Sequence, residues 1–183
     1  MSPEELDGIT IQKYHSPKEK SMLDMFIRKR LHLINNLRSK EYAAKIILKN
    51  IPEDEKYLIF AGSIEQAENL CPYRYHSKTD ETHLKMFQEG LLKRLSCVEA
   101  LNEGINIPDV DGSIMVQVRS SDIKLIQRIG RNIRFKEGHE AHIYIIVCKN
   151  TQDEVWFNKA SLNLEENRIE YKTINEFLYE PNN

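Results

Sequence analysis

Residues 127–134, Gln-Arg-Ile-Gly-Arg-Asn-Ile-Arg, gather three guanidinium groups and a carboxamide around one glycine. Arg128, Arg131 and Arg134 stand three residues apart, a spacing that lines them along one side of a helix. Like charges held this close repel one another, and an anion lying across them removes the repulsion. Guanidinium forks meet phosphate oxygens two at a time, and Gly130 lets a backbone approach closely. The chemistry open to this stretch is therefore neutralisation of phosphate charge. A solvated basic helix end, favoured by the helix dipole, is the plain alternative.

Other reactive-looking groups are weaker. No Gly-x-x-x-x-Gly-Lys-Ser/Thr sequence occurs, so the backbone nest and lysine that grip β- and γ-phosphates are not in this chain. Two acidic pairs, Asp80-Glu81 and Asp153-Glu154, imitate the magnesium-binding box that ends a buried strand. Each follows polar residues, at 75–79 and 149–152, so both are expected to be acids at helix N-termini. His139 and His142 flank a turn without a third ligand, which predicts solvation and no metal site. Cys71, Cys97 and Cys148 include no Cys-x-x-Cys pair, and Cys97 and Cys148 sit in apolar runs. Reduced thiols are expected, with neither a disulfide framework nor a zinc site.

These groups need a scaffold. A length of 183 residues suits one core with terminal appendages. Hydrophobic residues at 40% and charged residues at 30%, with 7 Gly and 6 Pro, exclude a disordered or fibrous chain. A formal net charge of −2 excludes a strongly basic nucleic-acid coat, so any such contact must be local. No apolar window reaches the roughly 18 residues of a membrane helix, and a cytoplasmic location is the default.

Ser16-Pro17-Lys18-Glu19 has capping-box spacing and predicts a helix start. Met22, Met25, Phe26, Leu33 and Leu37 follow at helical intervals, interrupted by Arg28, Lys29 and Arg30. A second helix is expected over 41–49. The period then changes. Residues 57–61 form a short continuous apolar run before Gly62-Ser63, the pattern of a strand buried on both faces. Strands over 74–76, 94–98, 113–118 and 142–148 alternate with helices over 64–70, 81–89 and 123–131. Such alternation predicts an α/β, doubly wound parallel sheet with helices on both faces. Ligands of such sheets lie beyond the strands' carboxyl ends, after Ala61, Val98 and Val118. The expected division is an N-terminal helical segment or linker over 1–50 that packs on the core, a core over 51–150 and a C-terminal helical extension over 151–183. That extension reads as helical around Trp156 and Phe157, with a last apolar patch at Phe177 and Leu178.

The pattern Gln-x-x-Gly-Arg-x-x-Arg after an apolar strand resembles motif VI of superfamily 2 helicases. The upstream motifs stand in the matching order. Residues 95–98 followed by 100–110, with Gly104-Ile105-Asn106-Ile107-Pro108, look like motif V, and 57–63 look like motif IV. His76-Ser77 and the helix ending Phe87-x-x-Gly90 resemble the family's His-Gly (or Ser) turn and its Phe-x-x-Gly helix end. The resemblance covers about residues 55–150.

It implies a C-terminal RecA-like domain, a P-loop NTPase-type sheet lacking the P-loop. Arg131 and Arg134 would act as arginine fingers toward ATP. That ATP and its Mg²⁺ would be held mainly by an N-terminal RecA-like domain carrying Walker A and B, on the same or a separate chain. Gln127, Gly104 and Asn106 would lie on the nucleotide side. Ser63, Ser96, Cys97 and Arg119 would contact single- or double-stranded nucleic acid; the Gly-Ile-Asn-Ile-Pro loop favours DNA over RNA. Lys124 and Arg119 could line the same track or be merely solvated. Two departures matter. Asn106 stands where many members have Asp, so the ribose contact that the resemblance implies becomes a neutral hydrogen bond or shifts elsewhere. Ser96 and Cys97 stand where many have Thr, and only Ser96 keeps a hydroxyl. The chain alone is expected not to hydrolyse ATP. The alternative is a non-catalytic module that binds protein or nucleic acid, against which the retained arginines and Gly104 argue. A dinucleotide enzyme on the same architecture lacks its Gly-x-Gly-x-x-Gly loop.

Overall fold

The computed structural model describes residues 16–98, 110–118, 142–162 and 169–179. It divides into two compact units, Met1–Ile34 and Asn35–Asn183. Helix α1 spans Pro17–Asn35 and begins as its sequence dictates, with the Glu19 backbone N–H donating to Ser16 Oγ at 3.3 Å. Proline stands at its first position, where a missing N–H costs nothing. No residue of α1 is buried, and Met22, Met25, Phe26, Ile27 and Leu33 are exposed.

The second unit is built on five parallel strands: β1 (Tyr57–Phe60), β2 (Arg74–Tyr75), β3 (Arg94–Cys97), β4 (Gly112–Met115) and β5 (His142–Ile145). Their spatial order is β2-β3-β1-β4-β5. Among them run α2 (Arg38–Asn50), α3 (Ile64–Leu70), α4 (Thr82–Gln88), α5 (Gln152–Ser161) and α6 (Ile174–Tyr179). Every residue of β1 and β4 is buried, as continuous apolar runs predict for inner parallel strands.

Alternate strand residues feed two cores, because successive side chains point to opposite faces. On one face Leu58, Phe60, Leu95, Cys97 and Met115 pack with Leu84 and Phe87 of α4 and Ala160 of α5. On the other, Tyr57, Ile59, Ile114 and Val116 pack with Ala44 and Ile47 of α2, and Phe177 of α6 lies against them. Phe177 meets the Tyr144 ring edge-on at 5.9 Å. Helices thus cover both faces, which is the doubly wound arrangement. Burying a side chain such as Phe87 contributes about 1.5–3 kcal/mol.

The boundary between units falls after Ile34. Helix α2 belongs with the sheet, since its Ala44 and Ile47 lie in the sheet's own core. Ala160 of α5 also lies in one core, and Phe177 of α6 packs against the other. Strand β4 is shorter than the 113–118 expected, yet Val116 continues its direction by donating to the Phe60 carbonyl at 3.0 Å. The expected helix over 123–131 lies outside the described residues.

Candidate functional site

From β1 the chain leaves through α3 toward β2, on one side of the sheet; from β4 it proceeds to β5, on the other side. Adjacent strands whose continuations diverge open a crevice beyond their carboxyl ends, where ligands of doubly wound sheets bind. Residues 61–63 and 116–118 border that crevice.

Ser63 is extended, with φ −148° and ψ 162°, and caps α3 by accepting from the Gln66 backbone N–H at 3.2 Å. Gln66 does more than begin a helix. Its side-chain Oε1 accepts from the Gly62 N–H at 2.7 Å, and its Nε2 donates to the Asn35 carbonyl at 3.4 Å. Gln117, following β4, sets its carboxamide where a Cβ on residue 62 would fall. Both glutamines are buried, at 4% and 5% exposure.

Ser96 and Cys97, expected on a nucleic-acid track, lie inside the sheet. Strand β3 is flanked by β2 and β1 and covered on both faces, so Ser96 is 0% exposed. Its Oγ has no hydrogen-bond partner among the described residues. The Cys97 thiol donates to the Ile59 carbonyl at 3.4 Å, and burial pushes its pKa up. The following residue, Val98, is partly exposed and donates its N–H to the Tyr75 carbonyl.

Asp80 is a helix-terminal acid as expected, accepting from the Thr82 N–H at 3.0 Å. That backbone bond holds its carboxyl below the ordinary range. Asp153 also stands in a first helical turn but is wholly buried. Its Oδ2 pairs with Lys40 Nζ at 2.5 Å and accepts from the Cys148 N–H at 3.2 Å. Among the described residues, no His, Cys, Asp and Glu group could hold a metal ion. His142, on β5, is exposed. Arg119, Gln127, Arg131, Arg134, Gly104 and Asn106 lie outside the described residues.

Gln66, Gln117 and Lys40 were not singled out from the sequence. A signal existed for Gln66, since Ser63-x-x-Gln66 has capping-box spacing. Here the carboxamide reaches the N–H of Gly62, one residue earlier than the cap itself. Gln117 carries no comparable local signal.

A five-stranded parallel sheet with this order and helices on both faces is the arrangement of a RecA-like domain. Residues 38–136, more than half of the 183, match the model of the helicase conserved C-terminal domain. The chain belongs to that family. It is 30% identical over 132 residues to the ATP-dependent DNA helicase MPH1 of Eremothecium gossypii, covering 72% of this chain and 11% of that protein. It is 25% identical over 131 residues to the DNA 3'-5' translocase XPB2 of Sulfurisphaera tokodaii, covering 67% and 29%. The fold is similar to that of the E. coli DEAD-box protein SrmB, with a TM-score of 0.53, 21% identity and coverage of 70% and 81%. The chain spans 7% to 29% of the curated relatives it matches.

Proposed function

We propose that the chain is the second motor domain of an ATP-dependent nucleic-acid helicase or translocase. It closes on an N-terminal RecA-like domain that holds ATP and Mg²⁺, and it supplies Arg131 and Arg134 to the γ-phosphate. Gln127, Gly104 and Asn106 lie on the nucleotide side of that cleft. What supports this assignment is the extent of the family match, 38–136, which takes in both the described strand ends and the arginine-bearing stretch. The relatives MPH1 and XPB2 are named as an ATP-dependent DNA helicase and a DNA translocase, in keeping with DNA as the favoured track.

The chemistry divides cleanly. Phosphoryl transfer needs charge on the equatorial oxygens stabilised, and finger arginines contribute roughly 10³–10⁵ in rate in other NTPases. The triphosphate nest and the metal ligands come from the partner domain. Nucleic acid is gripped along its backbone, with the Ser63 hydroxyl and Arg119 contributing, so binding is salt-dependent and nearly blind to sequence.

The test is direct. The purified 183-residue chain should release no phosphate from ATP above buffer. Joined to an N-terminal domain carrying Walker A and B, it should restore hydrolysis that single-stranded DNA stimulates. Turnover by this chain alone would overturn the assignment.

A further inference from the structure

Of the three thiols, Cys148 alone combines access with charged neighbours. It is partly exposed, whereas Cys71 and Cys97 are buried. Its N–H donates to Asp153 Oδ2 at 3.2 Å, and its carbonyl accepts from Thr151 Oγ1 at 2.7 Å. Its thiol hydrogen-bonds the same Asp153 carboxylate. From α2, Lys40 Nζ reaches Oδ2 at 2.5 Å. One carboxylate therefore gathers an amine and a thiol from segments far apart in the chain.

The cluster is also under-satisfied. Both side chains of the ion pair are 0% exposed. An ammonium carries three donors, yet among the described residues Lys40 Nζ finds no acceptor beyond Asp153, and Asp153 Oδ1 accepts from no donor. Two charges kept from water with bonds left unmade are poorly compensated. A reaction that leaves both groups neutral relieves that cost.

We propose that Cys148 is an oxidation site whose sulfenic acid condenses with the Lys40 amine, tying α2 to the turn before α5 through a reversible S–N bond. The oxidant is hydrogen peroxide, arriving from the exposed side of Cys148. In the first step sulfur attacks peroxide, the O–O bond breaks, S–OH forms and water leaves; sulfur gives up two electrons and the peroxide takes them. In the second step the Lys40 ammonium passes one proton to Asp153, and its nitrogen lone pair displaces hydroxide from sulfur. The S–N bond forms as the S–O bond breaks, and the hydroxide leaves as water with a second proton from nitrogen. Sulfenic acids condense with backbone nitrogen in the same manner. The products are a neutral sulfenamide, a neutral Asp153 carboxyl and two waters. Burial holds the Cys148 thiol protonated and the Lys40 charge opposes this, so the first step is slow and takes sustained peroxide. The inference stands apart from the motor reading, since it invokes neither ATP nor nucleic acid.

The experiment treats the purified 183-residue chain with hydrogen peroxide, quenches with catalase and maps its peptides by mass spectrometry without added reductant. The expected product is a pair of peptides joined through Lys40 and Cys148, lighter by two hydrogens than the separate parts and released by dithiothreitol. Cys148→Ser should yield no joined pair. Lys40→Arg keeps a cation beside Asp153, but a guanidinium is too weak a nucleophile to condense, so this variant should stop at the sulfenic acid and be trapped by dimedone. If Lys40→Arg does not fold, the unsubstituted chain and Cys148→Ser decide. A dimedone adduct on the unsubstituted chain with no joined pair overturns the proposal. So does a disulfide from Cys148 to Cys71 or Cys97, a Cys148 thiol that peroxide leaves unchanged, or equal joining to the exposed neighbour Lys149.

Discussion

Lys40 and Asp153 form an ion pair, Nζ to Oδ2 2.5 Å, in which neither side chain is exposed. One belongs to the first turn of α2 and the other to the first turn of α5, so the pair joins helices from nearly opposite ends of the second unit. Charges taken this far from water stabilise only while each has the other, and removing one partner leaves an uncompensated buried ion.

Lys40→Met should therefore destabilise the chain by about 3–5 kcal/mol. Lys40→Met/Asp153→Leu should recover much of that loss, since apolar replacement of a whole buried pair is often neutral. Denaturant unfolding at fixed pH checks both, and equal instability of single and double variants would show that packing, not charge, sets the cost.

Phe87 is 0% exposed and belongs to the core that Leu58, Leu84 and Leu95 share. Phe87→Ala should cost about 3–5 kcal/mol through lost transfer energy and an unfilled cavity. The denaturation midpoint should fall while the m-value holds steady.

The three thiols should react in order of access. Cys148 is partly exposed, whereas Cys71 and Cys97 are buried. Burial raises the pKa of all three. A native-state titration with a thiol reagent should modify Cys148 first and Cys97 only on unfolding. Because the folded thiols resist ionisation, their contribution to stability is complete below the unfolded value near 9.0 and declines as pH rises above it. A denaturation midpoint that rises with pH through this range would contradict the assignment.

Glu41 is held below the ordinary carboxyl range chiefly by its bond to Lys45, Nζ to Oε1 2.6 Å. Water screens this largely exposed pair, so Glu41→Gln should cost only about 0.2–0.5 kcal/mol. The contribution is present above the unfolded carboxyl value of 4.5 and is lost as pH falls through the lower folded value. Unfolding curves of parent and variant should converge at pH 3.

In an intact motor, Arg131→Ala should lower kcat by orders of magnitude and leave nucleic-acid affinity within a few-fold. Parallel loss of both would reassign Arg131 to strand binding.

Local chemistry wrote much of this fold into the sequence. Helix α3 runs from Ile64 to Leu70, as expected, because Ser63 starts it and Cys71-Pro72 stops it. Strand β1 was visible as an unbroken apolar run before a glycine. Contacts between distant segments were not visible. The polar run at 149–152 made Asp153 read as a helix N-terminal acid, which it is, but only the folded chain brings Lys40 to it. Nothing in the neighbours of Ser96 reveals that β3 lies between two other strands and buries it. Helix α6 has six residues and no strong period; Phe177 gains its meaning only against Tyr144. Gln117 illustrates the same limit at the site, since its role depends on a glycine in another strand's loop.

The strand order also governs how the chain can be made. β1 is synthesised before either of its neighbours, and Tyr57 finds its partners only at Arg94 and Gly112. Until both have left the ribosome, a four-residue apolar segment has unsatisfied hydrogen-bonding groups along its length. Pairings this remote form slowly. Nascent chains halted before residue 112 should consequently depend on chaperones to stay dispersed, whereas release beyond β4 lets the centre of the sheet close around its earliest strand.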